Sequence, residues 1–60
     1  MTVENIIDAC VMSVPTKVFQ WVLNANCEVY DGPCGKIPEE FWDMDVHEFN
    51  VVDRHLVLYI

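Results

Sequence analysis

Positive charge is what this chain has least of: Lys17, Lys36 and Arg54 stand against ten Asp and Glu, for a formal net charge of -7. Phosphate backbones and anionic bilayer surfaces repel such a chain, so direct nucleic-acid binding through a basic patch and membrane association are both disfavoured. Long hydrophobic runs are missing too. None approaches the roughly 20 residues that a membrane-spanning helix needs, and the N-terminus Met1-Thr-Val-Glu-Asn5 has neither the basic start nor the apolar stretch of an export signal. Cysteine is limited to Cys10, Cys27 and Cys34, an odd number that speaks for reduced thiols in a cytoplasm rather than for a disulfide framework. Glycine is scarce, and no glycine-rich phosphate loop, C-x-x-C pair or nucleophile motif is present.

Apolar surface is abundant, with 53% hydrophobic residues in 60. That is enough for one core and argues against disorder. At this size a single domain over residues 1–60 buries only about 60% of the surface its unfolded chain exposes. A deep enzyme cleft is therefore not expected, and self-association is a natural source of added stability.

The last six residues, His55-Leu-Val-Leu-Tyr-Ile60, organise the rest. Leu56, Leu58 and Ile60 share one strand face, Val57 and Tyr59 the other, and apolar residues on both faces predict a strand inside a sheet. Thr2 is the expected N-cap of a first helix with Glu4 in its first turn. Val3, Ile6, Ile7, Cys10 and Val11 form its apolar stripe, and Ser13 and Pro15 end it. Thr16 to Leu23 alternates as a strand, with Phe19, Trp21 and Leu23 on one face and Val18, Gln20 and Val22 on the other. Asn24-Ala-Asn26 supplies a turn and Cys27 to Tyr30 the returning strand.

Asp31-Gly-Pro-Cys-Gly35 is the densest turn signal, closing that hairpin with two glycines able to take positive φ. Pro38 then opens a short helical turn through Met44. Asp45 to Val51 alternates again, and Val52-Asp-Arg54 turns it into the final strand, so that Phe49 and Val51 face Leu56 and Leu58. The expected architecture is α+β: an N-terminal helix on a four-stranded, mostly antiparallel sheet made of two hairpins joined by a short helical turn. Strand order stays open, with parallel pairing of the first strand and the last as one arrangement.

The segments Val29-Tyr-Asp-Gly32, Gly35-Lys-Ile-Pro-Glu-Glu-Phe-Trp-Asp-Met-Asp-Val-His-Glu-Phe-Asn-Val51 and Leu56-Val-Leu-Tyr-Ile60 resemble the short acidic uncharacterised proteins of gut Firmicutes and their phages and mobile elements. The resemblance is a pattern of turns and apolar positions. It implies a fold and a bacterial or phage cytoplasm, and assigns no functional residue. In place of an Asp-Gly pair in the last hairpin this chain has Asp53-Arg54.

Glu39, Glu40, Asp43, Asp45 and Glu48 put five carboxylates in ten residues without an intervening cation. Closely spaced carboxylates can imitate a phosphate row and occupy a basic groove on a protein partner; the plainer reading is a solvated face that keeps a small apolar protein soluble. Asp43, Asp45 and His47, with Glu48 beside them, would share one face if they lay on a strand and could then meet a cation, but a half-buried histidine near a sheet edge is the commoner outcome, and no metal or cofactor is expected. Cys27 and Cys34 could be bridged only if the hairpin aligned them. If one helix covers the sheet, the second face leaves Val18, Val22 or Trp21 uncovered, a surface suited to a homodimer or a partner. The expectation is a non-enzymatic interaction protein of the cytoplasm, with a purely structural small domain as the alternative.

Overall fold

A computed structural model describes residues 1–60. Helix α1 spans Val3–Ala9, strand β1 Pro15–Val22 and strand β2 Ala25–Pro33. Two 3-10 turns, Cys34–Lys36 and Glu39–Phe41, lead to strand β3, Glu48–Val52, and strand β4, His55–Tyr59. The sheet order is β2-β1-β4-β3. Both hairpins are antiparallel, and the central seam between β1 and β4 is parallel, with Thr16 beside Leu56 and Phe19 beside Tyr59. The α+β class and the two hairpins are as the sequence predicts, and the open question of strand order resolves to the parallel seam.

The two apolar faces of β4 account for its central place. Leu56, Leu58 and Ile60 enter the core with Val18 of β1, Val3, Ile6 and Ile7 of α1, and Cys34 and Ile37 of the connection. Val57 is buried on the opposite face. Thr16 is the one buried polar residue; its hydroxyl donates to Val14 O at 2.9 Å, so the burial leaves no orphaned group.

Several boundaries differ from expectation. Helix α1 begins as predicted: Thr2 Oγ1 accepts from Asn5 N–H, and Asn5 Oδ1 accepts from Thr2 N–H at 2.9 Å. It ends at Ala9, and Val11 is exposed instead of extending the stripe. The cause is competition for backbone groups. Met12 O and Val14 O accept from Gly35 N–H at 2.8 Å and Cys34 N–H at 2.9 Å, which ties the segment to the end of the first hairpin.

The first hairpin turns on Leu23-Asn24, one residue ahead of the Asn24-Ala-Asn26 expected, and both residues have positive φ. The second turns on Asp53-Arg54, again with both φ positive, and Val52 stays in its strand. Two left-handed central residues in a two-residue loop match the strand twist, which is the type I′ solution. β2 runs through Gly32 and Pro33, and neither glycine takes positive φ. What Gly35 supplies is space: a Cβ there would lie 2.9 Å from Met12 Cβ. β3 begins at Glu48, not Asp45, because residues 42–46 are claimed by the N-terminus: Val3 N–H reaches Met44 O at 3.0 Å, Glu4 N–H reaches Trp42 O at 3.0 Å, and Val46 N–H reaches Met1 O at 2.8 Å. No helix is long and apolar enough to cross a membrane.

Candidate functional site

The acidic stretch is tied down by backbone hydrogen bonds along its length. Pro38 starts it, and the 3-10 bonds from Phe41 N–H to Pro38 O and from Trp42 N–H to Glu39 O fix its first turn, both at 3.0 Å. The Trp42 indole N–H donates to Ile37 O at 2.8 Å, which satisfies the ring's only donor as it packs. Phe41, Trp42, Met44 and Val46 then lie against the core. The intervening residues turn outward, and Glu39, Glu40, Asp43, Asp45 and Glu48 are all exposed. A 3-10 turn followed by a tethered irregular segment thus separates apolar anchors from a set of exposed carboxylates.

None of the five is within ion-pair distance of a cation; the single salt bridge of the molecule joins Lys17 Nζ to Glu28 at 3.8 Å on the other hairpin. The bond from Glu4 N–H to Trp42 O also brings the exposed Glu4 alongside the stretch. Sequence alone does not reveal this neighbour: Glu4 reads only as a partner of the helix dipole, and the pairing of residues 1–4 with 42–46 leaves no local signature.

The cation-binding arrangement does not assemble. No group of three or more His, Cys, Asp or Glu side chains converges anywhere in the molecule. Asp45 bridges to Thr2, while His47 N–H bonds Tyr59 O at 2.8 Å, so the regular strand that would align Asp43, Asp45 and His47 is absent at these residues. Cys27 and Cys34 are not neighbours either. Cys27 is exposed opposite Gln20, whereas Cys34 is buried with Thr16 and Cys10 beside it. Burial, reinforced by Cys10 and partly offset by Thr16, pushes the Cys34 thiol above its ordinary pKa. The burial that raises this pKa also holds the neutral thiol packed in the core.

The face of the sheet away from α1 carries Lys17, Phe19 and Trp21 of β1 and Val57 and Tyr59 of β4. The Phe19 and Tyr59 rings stack at 5.6 Å and 21°. Val57 on this face is buried, whereas Trp21 is 60% exposed. Val18 and Val22 do not belong to this face: Val18 is fully buried in the core, and Val22 is exposed at the far end of the same side, so of the three only Trp21 is uncovered here. A shallow depression of about 450 Å³ lies between Trp21, Asn26, His47, Glu48 and Tyr59, so Glu48 borders both the acidic stretch and the aromatic face. No family model, curated protein or solved structure matches the chain.

Proposed function

We propose that this domain is a non-enzymatic interaction module, acting in a bacterial or phage cytoplasm as a homodimer, that binds a basic protein surface through Glu39, Glu40, Asp43, Asp45 and Glu48. One observation carries the reading: five carboxylates are displayed on a backbone pinned at both flanks, and no cation of the same molecule neutralises them. A pre-ordered row of charge loses little conformational entropy on binding. It suits partners whose own groove is lined with Lys and Arg, as in proteins that handle nucleic acid.

The test is the triple variant Glu39→Lys, Glu40→Lys, Asp43→Lys, compared with wild type in capture from a bacterial lysate at low and physiological salt. One basic protein should be retained by the wild type, weaken steeply as the Debye length falls toward about 8 Å, and be lost from the variant. Equal capture by both proteins would overturn the reading and leave the carboxylates a role in solubility alone.

A further inference from the structure

The two outer strands of the sheet are treated very differently. β2 is blunted as an edge: its register to β1 shifts at Val18/Phe19, and it carries Glu28, Asp31 and Pro33. β3 has none of these devices except Glu48 at its start. All five of its residues are exposed, its register to β4 runs unbroken from Glu48 to Val52, and it contains no Pro, Gly or Lys. Val52 and His55 flank a two-residue loop and so exchange both backbone bonds; by alternation Asn50 does so with Val57, while ahead of the strand Tyr59 O accepts from His47 N–H at 2.8 Å. Phe49 and Val51 therefore direct their N–H and C=O groups away from the sheet. The bond from Val51 N–H to the Asn50 side-chain oxygen at 2.9 Å agrees with this direction.

Their side chains are equally unusual. Phe49 and Val51 stand opposite Leu58 and Leu56, on the core-facing side of the sheet, yet they are 54% and 67% exposed. We infer that β3 pairs antiparallel with β3 of a second copy, about a two-fold axis at Asn50. The inference rests on the homodimer reading above and adds its surface. In this register Phe49 opposes Val51 of the second copy, twice, forming four backbone bonds once Asn50 Oδ1 gives up Val51 N–H in each copy, and joining the four uncovered side chains into one patch on the helix-bearing face. Glu48 meets Val52, so no like charges oppose. The pairing ends at Glu48 and Val52, because the outer edge ahead of β3 is already taken by the chain's own N-terminus through the bond from Val46 N–H to Met1 O. Registers shifted by one pair place either Asp53 against Asp45 or Phe49 against Asp53, and so oppose like charges or set an apolar ring against a carboxylate.

Sedimentation equilibrium of the whole chain tests the inference. Wild type should sediment at roughly twice its 7.0 kDa. Val51→Pro, which removes an outward N–H that β4 does not use, should sediment as the monomer with unchanged circular dichroism. Phe49→Lys provides the same readout should the proline variant fail to fold. In a mixture of isotopically labelled and unlabelled copies, intermolecular contacts should connect Phe49 with Val51. A monomeric wild type overturns both this surface and the dimer reading; a dimer that persists in both variants, or whose intermolecular contacts lie elsewhere, overturns the β3 edge alone.

Discussion

Leu23 and Arg54 hold the conformations least suited to their side chains, and this predicts an unusual direction of change: substitutions that stabilise. Leu23 has φ 51° and Arg54 φ 66°, each at the centre of a tight hairpin loop. A left-handed backbone costs an L-residue about 1–2 kcal/mol, a cost that Asn meets far better and Gly avoids. Leu23 is 93% exposed, so its side chain offsets little of this by burial. Leu23→Asn should then recover about 1 kcal/mol. Arg54→Gly should recover a little less, because glycine adds roughly 0.5–1 kcal/mol of unfolded-chain freedom. The two loops lie at opposite ends of the sheet, since β1 and β4 run parallel and the loops follow one and precede the other. The effects should therefore add, to about 1.5 kcal/mol for the double variant, or roughly 6–12 °C in a domain of this size. Urea unfolding at unchanged m-value is the assay. Leu23→Ala, which removes the apolar side chain but keeps the strained backbone, is the control and should gain nothing. A double variant no more stable than wild type, or an alanine variant that gains as much as asparagine, would refute the strain argument.

Leu58→Ala removes a fully buried side chain at the centre of the core and should cost about 2–5 kcal/mol; against a total of roughly 3–9 kcal/mol for 60 residues, calorimetry should find the variant largely unfolded or barely cooperative. Thr16→Val keeps shape but deletes the donor to Val14 O, and a loss of about 1 kcal/mol in denaturant midpoint is expected. Alkylation of the native protein followed by mass spectrometry should modify the exposed Cys27 first and Cys34 last. Because the folded Cys34 thiol has a raised pKa, its contribution to stability is complete below the ordinary thiol range. That contribution is lost as pH climbs through the ordinary value of 9.0 toward the raised folded one. A Cys34→Ser variant should show a flatter decline of melting temperature across that alkaline window.

Burial of both faces of residues 55–60 was legible because period-two alternation with apolar residues on each side fits little besides an interior strand. The hairpins were legible from the same alternation, and Thr2 from its capping chemistry. The type of the two loops was not, nor the exact place of the first. Leu23-Asn24 and Asp53-Arg54 lack the glycine that normally marks a type I′ loop, whereas the glycines and proline of 31–35 mark the blunted end of β2 and a close packing contact. Alternation also left undecided which face of β1 meets the helix, since Phe19 and Trp21 are as apolar as Val18; the stack of Phe19 on Tyr59 decides it through a strand forty residues away. The carboxylates of 39–48 were legible as a cluster because charge needs no tertiary context to be counted. Their fixed display depends on bonds to residues 1–4, which no local pattern announces.

The parallel seam between β1 and β4 makes the two hairpins interdependent in time as well as in space. Each hairpin can close quickly around its own loop, but Thr16 and Leu56 must find one another across most of the chain, and that search sets the pace of folding. Until it succeeds, the inner edges of β1 and β4 are bare, each lined with apolar residues and open to pairing with any other strand. A fragment lacking His55–Tyr59 would remain in that condition permanently. It should aggregate instead of persisting as a smaller folded unit, so the sheet forms as one cooperative whole.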